Sequence, residues 1–280
     1  MNRFRIFVST ALLLAITAIG IAQSQQANSP QNQSQKVKGG SNMTAPTVIL
    51  VHGAFADASS WAGVVERLQR AGFQALAVSN PLRGLSSDGE YVASVAKQVN
   101  GPVVMVGHSY GGPVITYAGS KASNVKGLVF IASFGLEKGQ SINESTSGFA
   151  PPLLATSIEP KQYPLGTGDA VELYIRADKF AKVFAADVSA ERVSILAASQ
   201  RPVAAAAFAE PLSVEPAWKT LPSWFLVSAQ DNAINPDAER AAAKRMGSTV
   251  LEVKASHAVA ISQPDAVANF ILKAVQAVSK

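Results

Sequence analysis

The sequence of 280 residues predicts an α/β fold in which a mostly parallel sheet is flanked by helices. The first observation is that short apolar runs rich in β-branched residues alternate with segments whose apolar residues recur at helical spacing. The second is composition, because apolar residues make up 48% of the chain and charged residues only 15%. Such a chain can fill a large core, which excludes a disordered, solvating protein.

Six short apolar runs predict the strands of this sheet. The first, TVILV at residues 47–51, is continuous, β-branched and too short for a helix, as expected for a strand that is buried on both faces. The predicted strands cover residues 47–51, 73–78, 102–106, 125–133, 223–228 and 249–253.

Amphipathic segments lie between these strands. Trp61, Val64, Val65 and Leu68 share one apolar face, on a helix that ends near Gly72. Strands that alternate with helices of this length indicate a parallel sheet covered on both faces. The other predicted helices cover residues 90–99, about 113–120, 236–246 and 264–278.

One long segment, residues 135–220, interrupts the alternation. It opens with glycine and proline turn signals and continues with helix-forming stretches at 170–184 and 189–199 and an alanine-rich piece around 203–208. So long a connection is uncommon as a plain loop. We therefore expect a helical cap over one end of the sheet, inserted before the strand at 223–228.

The N-terminal residues predict export to the periplasm or the medium. Arg3 and Arg5 precede an apolar run, and small residues near Ala22 fit a cleavage site, so residues 1–22 are interpreted as a signal peptide. A retained membrane anchor is the alternative, although the run falls short of the ~20 apolar residues that span a bilayer. With the signal removed, we expect no stable membrane span.

Residues 23–45 are rich in Gln, Ser and Asn and predict a flexible tether, so the folded domain is expected at residues 46–280. Beyond residue 22 the chain has 22 basic and 19 acidic residues, since two of the 24 basic residues lie in the signal. A net charge of +3 without a basic run interleaved with aromatics does not indicate a nucleic-acid partner. The absence of cysteine excludes disulfides and thiolate zinc sites, and three histidines suit few metal sites, so no bound metal is expected.

The run Gly107-His108-Ser109-Tyr110-Gly111-Gly112 lies between a predicted strand and a predicted helix. A Gly-x-Ser-x-Gly pattern at such a junction is typical of a strained turn that projects a serine hydroxyl, with glycines where side chains would clash. The helix that follows directs its N-terminal N–H groups at developing negative charge. Ser109 is therefore the candidate nucleophile.

A serine nucleophile needs a base, and the base needs an acid that orients it. His257 is the one histidine after Ser109, and it follows the strand at 249–253, so it is expected at the same end of the sheet. Asp231 comes directly after the preceding strand and is the predicted acid. Asp237 is the alternative, but it lies in a first helical turn, where an acid commonly complements the helix dipole.

An oxyanion hole is expected from backbone N–H groups near the serine. The first strand runs into His52-Gly53-Ala54-Phe55, so the N–H groups of Ala54 and Tyr110 are the predicted donors. His52 is expected to shape this loop and His108 to pack beside the serine turn, neither acting as base. Asp57 and Asp88 are interpreted as solvated residues at helix starts, without a role.

His52-Gly53-Ala54-Phe55, the glycine-rich run around Ser109, Asp231 and His257, in this order, resemble the α/β-hydrolase superfamily over residues 46–280. The short start and the His-Gly-Ala sequence look like its small-molecule esterase branch, which includes plant methyl esterases, pyrethroid hydrolases and hydroxynitrile lyases. That resemblance disfavours the lyases, which carry a lysine where this chain has Ala258. It also disfavours dehalogenases and epoxide hydrolases, which carry aspartate at the serine position.

The resemblance implies a cofactor-free serine ester hydrolase that uses a small-molecule ester. The apolar character of the cap favours small to medium, uncharged substrates. Two alternatives stay open at this point: a ligand-binding protein on the same fold, and acyl transfer to an alcohol by the same residues. Neither the natural ester nor the oligomeric state is indicated by the sequence.

Overall fold

The computed structural model describes residues 45–166 and 168–280, so the predicted signal peptide and nearly all of the tether lie outside the described residues. Within the described ranges, no helix has the length and apolar character needed to cross a bilayer. The strands of this part of the chain are β1 (Thr47–Val51), β2 (Ala75–Val78), β3 (Val103–Ser109), β4 (Val125–Ser133), β5 (Ile158–Leu165), β6 (Gly168–Ile175), β7 (Val203–Ala204), β8 (Ser223–Ser228) and β9 (Thr249–Val253).

Helices connect most of these strands. They are α1 (Ala62–Arg70), α2 (Leu85–Lys97), α3 (Gly111–Lys121), α4 (Ile142–Ser145), α5 (Ala177–Phe184), α6 (Ala190–Ala198), α7 (Ala205–Ala209), α8 (Pro236–Arg245), α9 (Val259–Ser262) and α10 (Pro264–Val278). Short 3-10 turns cover Ala58–Trp61, Leu153–Thr156 and Ala217–Lys219.

The main sheet has six parallel strands in the order β2-β1-β3-β4-β8-β9. The chain adds β2 on one side of β1 and then returns to add β3 on the other, so the strand order reverses between β1 and β3. Ligands of open α/β sheets bind in the crevice beyond the carboxyl ends of the strands at such a reversal. This topology confirms the predicted fold class.

Helices cover both faces of the sheet, and the side-chain alternation of the strands decides which residues each layer buries. Along β1, Val48 and Leu50 pack in the core layer formed with α1 and α10. Ile49 and Val51 pack on the opposite face, in the layer that contains α2 and α3. All four side chains are fully buried, which explains why this strand is apolar throughout rather than alternating.

The segment inserted between β4 and β8 mixes strands and helices, so the prediction of a helical cap is wrong in part. Residues 170–175 were expected in a helix but belong to β6, which pairs antiparallel with β5 over the whole length of both strands. Leu165 and Gly168 pair at the closed end of this hairpin, and Gly166 adopts a φ of 60° there, which favours a tight hairpin over a continuous helix. The helix expected at 170–184 therefore shortens to α5, whereas the helix expected at 189–199 forms as α6.

Candidate active site

Ser109 ends β3 in a left-handed backbone conformation, with a φ of 53°, and Tyr110 alone separates it from α3. Such a conformation costs a non-glycine residue about 1–3 kcal/mol and is found chiefly at functional sites. The turn closes because its flanking positions lack side chains. A Cβ at Gly107 would lie 2.4 Å from the Gly111 carbonyl oxygen, and one at Gly111 would lie 2.4 Å from the Val51 carbonyl oxygen.

The Ser109 turn is also fixed from β4 and from the loop after β1. Ser133, which pairs with Ser109 across the two strands, donates its hydroxyl to the Ser109 carbonyl at 2.6 Å. On the other side, a Cβ at Gly53 would lie 2.6 Å from the Ser109 Cβ, so only glycine lets the loop come this close. The loop and the serine turn are therefore held as one unit.

His257 and Asp231 form a buried pair at the ends of β9 and β8. The Nδ1 atom of His257 lies 2.5 Å from Asp231 Oδ2, and both side chains are essentially inaccessible to solvent. Because a carboxylate can only accept, this hydrogen bond places a proton on Nδ1 and leaves Nε2 as an acceptor. The other carboxylate oxygen of Asp231 accepts the backbone N–H groups of Ala233 at 2.6 Å and Ile234 at 2.9 Å.

Two neighbouring rings hold the imidazole of His257 in place. The rings of His108 and Phe184 lie 4.6 and 5.0 Å from it, centroid to centroid. His108 also donates its Nε2–H to the His257 carbonyl oxygen at 2.9 Å. Burial lowers the pKa of His108 well below its usual range, so this ring is neutral and serves as packing, as the sequence predicted.

The loop between β1 and the first 3-10 turn carries the candidate oxyanion donor Ala54. His52 is buried there, donates Nδ1–H to the Gly53 carbonyl at 2.9 Å and accepts the Asn80 N–H at Nε2. Burial lowers the pKa of His52 to about 4, so it keeps the loop in shape as a neutral ring. Phe55 has a φ of 62°, a second strained position beside the site.

Tyr110, the second candidate oxyanion donor, is anchored by a contact that the sequence did not indicate. Its hydroxyl donates to Asp88 at 2.8 Å, and Asp88 also accepts the Arg83 N–H at 3.1 Å. Asp88 is fully buried, so its interpretation as a solvated residue at a helix start is wrong, whereas Asp57 does cap its 3-10 turn. Burial raises the pKa of Asp88 and that of Tyr110.

The cap contacts the loop that carries the candidate base. Asp187, just after α5, accepts hydrogen bonds from the N–H of Ser256 at 3.1 Å and from its hydroxyl at 2.5 Å. The carbonyl oxygen of Phe184 accepts the Ala258 N–H at 2.9 Å. Both neighbours of His257 in the chain are thus bound to one cap segment, and no sequence pattern points to these contacts.

A cavity of about 270 Å³ lies between the sheet and the cap, and the candidate residues Ser109, His257 and Ala54 all line it. Most of its wall is apolar, and Asn143 and Thr146 are its other polar residues; none of the lining side chains is an acid, a lysine or an arginine. Of the cap aromatics, Phe208 lines this cavity. The remaining apolar lining residues are Phe55, Phe134, Ile142, Pro152, Leu154, Ala155, Ile158, Leu173, Ala233 and Ile234.

The structure thus brings Ser109, the Asp231–His257 pair and Ala54 to the carboxyl end of the sheet, at the reversal between β1 and β3. Asp237, the alternative acid, is exposed and binds Arg240 instead. Within residues 45–166 and 168–280, no three His, Asp or Glu side chains gather in the way that a metal site requires.

Comparison with known proteins agrees with this architecture. The sequence model described as the alpha/beta hydrolase family matches residues 48–270, which is most of the chain. The protein therefore belongs to the α/β hydrolase family. It is 26% identical over 258 residues to "Alpha/beta hydrolase nvfD" of Aspergillus novofumigatus, a match that covers 83% of this chain and 97% of that protein.

Solved structures show the same fold. Polyneuridine aldehyde esterase superposes with a TM-score of 0.72 at 18% identity, over 82% of this chain and 99% of that one. A pyrethroid hydrolase from Sphingobium faniae JZ-2 superposes with a TM-score of 0.68 at 20% identity, over 84% of this chain and 98% of that one. The family and the fold that the motifs around Ser109 indicate are confirmed.

Proposed function

We propose that the protein is a serine carboxylic ester hydrolase that acts on small to medium, uncharged esters through an acyl-enzyme intermediate. One observation carries the proposal: the strained Ser109 and a histidine that is bound to a buried aspartate line the same apolar cavity. Membership of the α/β hydrolase family supports the hydrolase class. The esterase and pyrethroid hydrolase with the same fold are consistent with an ester substrate.

In the proposed acylation step, the Ser109 hydroxyl attacks the acyl carbon of the ester while His257 Nε2 accepts the hydroxyl proton. Asp231 keeps the imidazole in the correct tautomer and stabilises the cation that forms. The oxyanion of the tetrahedral intermediate is held by the backbone N–H groups of Ala54 and Tyr110. Loss of one such donor typically costs about 2.7–4 kcal/mol of transition-state stabilisation.

Collapse of this intermediate breaks the bond to the alcohol, which leaves with the proton returned by His257. Water then attacks the acyl-Ser109 ester, gives one proton to His257 and releases the carboxylic acid, and the proton returns to the serine oxygen. Each bond formed to the acyl carbon is matched by one broken, so the cycle needs neither a cofactor nor a redox partner.

The cavity supports the class of substrate. Its wall contains no charged side chain that could pair with a charged substrate group, and burial of an unpaired charge is strongly unfavourable. A volume of about 270 Å³ suits a small acyl or aryl group rather than a long chain. Uncharged esters with a compact acyl group are therefore the proposed substrates.

The test is hydrolysis of p-nitrophenyl esters with acyl chains from short to long, by the native protein and by Ser109→Ala. We expect turnover to fall by about 10³-fold or more in the variant and to favour short chains in the native protein. Ser194→Ala, an exposed serine on α6, is the matched control and should behave as native. Near-native turnover by Ser109→Ala would refute the mechanism.

Two further measurements separate the alternatives. The first is competition between water and an added alcohol for the acyl group. Formation of a new ester with the alcohol in place of the carboxylic acid would favour acyl transfer. If no ester is turned over, labelling of Ser109 by a serine-directed phosphonate would still show an activated nucleophile, and failure to label would favour a ligand-binding role.

Export is a part of the proposal that rests on the sequence of residues 1–22 alone. Removal of the signal near Ala22 would leave a chain that begins close to Gln23. N-terminal sequencing of the protein recovered from the periplasm or the medium checks this, and recovery of the uncleaved chain in the membrane fraction would contradict it.

A further inference from the structure

Glu239 is a buried carboxyl that the proposed mechanism does not use. It lies in the first half of α8 and is fully buried, close enough to Asp231 for the charge of that carboxylate to act on it. Its Oε2 atom accepts the Ser228 N–H at 3.0 Å. Its Oε1 atom receives no hydrogen bond from any N–H or O–H group of the described residues.

Two buried carboxyl groups that lie close together are stable only when they share a proton. As anions, both have only acceptors and repel each other, and burial away from water strengthens the repulsion. Asp231 already accepts three N–H groups, from Ala233, Ile234 and His257. A carboxylate has about four acceptor positions, so one remains for an O–H donor.

The surroundings place this proton on Glu239. Burial and the neighbouring Asp231 charge raise the pKa of Glu239 well above its usual range. Arg240, the next residue on α8, directs its guanidinium to the exposed acids Glu252 and Asp237. Asp231 instead faces His257, whose positive charge in the reaction favours an ionised partner.

We propose that Glu239 is a positioning residue of the candidate triad: as a neutral carboxylic acid it donates a hydrogen bond to the Asp231 carboxylate and fixes that carboxylate opposite His257 Nδ1. This inference rests on the function proposed above. Held by four donors, Asp231 cannot rotate when His257 gains and loses its proton. The two carboxyl groups together then have a single negative charge, which lies on Asp231 next to the imidazole of His257.

The experiment compares Glu239→Gln with Glu239→Leu. The amide of glutamine is neutral, donates an N–H to Asp231 and still accepts from Ser228, whereas leucine fills the space and does neither. We expect Glu239→Leu to lower kcat by up to about 100-fold with KM unchanged, because Glu239 does not line the cavity. Glu239→Gln should restore kcat to within about threefold of the native value.

The pH profile separates positioning from a general structural role. If Glu239 is neutral, Glu239→Gln changes no charge, and the acid limb of kcat/KM should shift by less than about 0.3 pH unit. If Glu239 is ionised, the variant removes a negative charge near His257 and moves that limb down by about one unit or more. Asp237→Asn, an exposed acid on the same helix, is the control.

An infrared measurement tests the proton itself without activity. The difference spectrum of native protein minus Glu239→Gln near neutral pH should contain the carbonyl band of a protonated carboxyl, and the Asp237→Asn difference should not. Absence of the band, a shifted acid limb in Glu239→Gln, or native kcat in Glu239→Leu would each overturn the inference. If Glu239→Leu fails to fold, the glutamine variant and the infrared band still decide.

Failure of the proposed function is distinguishable. In that case the native protein neither hydrolyses esters nor labels at Ser109, while the infrared band still reports the state of Glu239.

Discussion

The close approach of α3 to the end of β1 leaves no space for a side chain at Gly111. An alanine there would place its Cβ 2.4 Å from the Val51 carbonyl oxygen, 3.1 Å from the Val51 carbonyl carbon and 3.2 Å from the His52 carbonyl oxygen. All three are backbone atoms, so no side chain can turn aside. Gly111→Ala must therefore separate the serine turn from β1.

The size of this effect follows from the distances. Ordinary contacts of a Cβ begin at 3.4 Å, so the Val51 oxygen is 1.0 Å too close. Overpacking of this kind typically costs about 1–3 kcal/mol of unfolding free energy, and the helix propensity gained by alanine, under about 1 kcal/mol, offsets only part of it. A displacement of about 1 Å between Ser109 and the Ala54 loop is expected to lower kcat/KM by about 100-fold.

Urea unfolding followed by tryptophan fluorescence gives the free energy of unfolding, and p-nitrophenyl ester hydrolysis gives kcat/KM. Gly168→Ala is the matched control, because a Cβ at this exposed position meets no atom within 4 Å. We expect both quantities to fall in Gly111→Ala and neither to change appreciably in Gly168→Ala. A Gly111→Ala protein with native stability and activity would show that the approach is not rigid and would refute the reasoning.

Three further predictions concern groups around the site. The folded pKa of His52, about 4, lies below its ordinary value of 6.5, so between these pH values only the unfolded chain takes up this proton. As the pH falls through this window, the free energy of unfolding should therefore drop by up to about 3 kcal/mol. Urea titration at several pH values should show that His52→Gln lacks this part of the drop, and equal drops in the two proteins would contradict the assignment. Tyr110→Phe and Asp88→Asn, combined in a double-mutant cycle of unfolding free energies, should couple by about 1–3 kcal/mol through their hydrogen bond, and strict additivity would argue against it. Asp187→Ala should lower kcat by about tenfold without raising KM, because it releases the Ser256 N–H and hydroxyl beside the candidate base. Asp187→Asn should be less affected. A change in KM alone would instead assign Asp187 to substrate binding.

The four inner strands of the main sheet were predictable because they are buried on both faces. β1 and β4 begin and end at the predicted residues, since short runs dominated by β-branched and other apolar residues admit few other interpretations. The candidate triad could also be predicted from the sequence, because a parallel sheet brings the residues that follow its strands to one edge. The cap was harder. Pro160 and Pro164 indicated loops, yet they lie on β5, which is the edge strand next to β6 in its three-stranded sheet and therefore tolerates proline.

The buried acids were missed because an acid in a first helical turn commonly complements the helix dipole at the surface. A periodic signal was nevertheless present. Glu239 shares the spacing i, i+3, i+4 and i+7 with Ala242, Ala243 and Met246, which are all buried on the inner face of α8. The position of an acid within an apolar helix face therefore predicts its burial better than its distance from the helix start does.

The long insertion between β4 and β8 also determines when the site can form during folding. β1, β3 and β4 can pair in sequence order, whereas the contact of Leu128 with Ser223 and its neighbours must close a loop that contains the whole cap. Pairings between distant segments form late because the entropy of loop closure must be overcome first. Asp231 and His257 follow β8 and β9, so the recovery of enzymatic activity during refolding should time the docking of these last two strands and lag behind the appearance of helical signal.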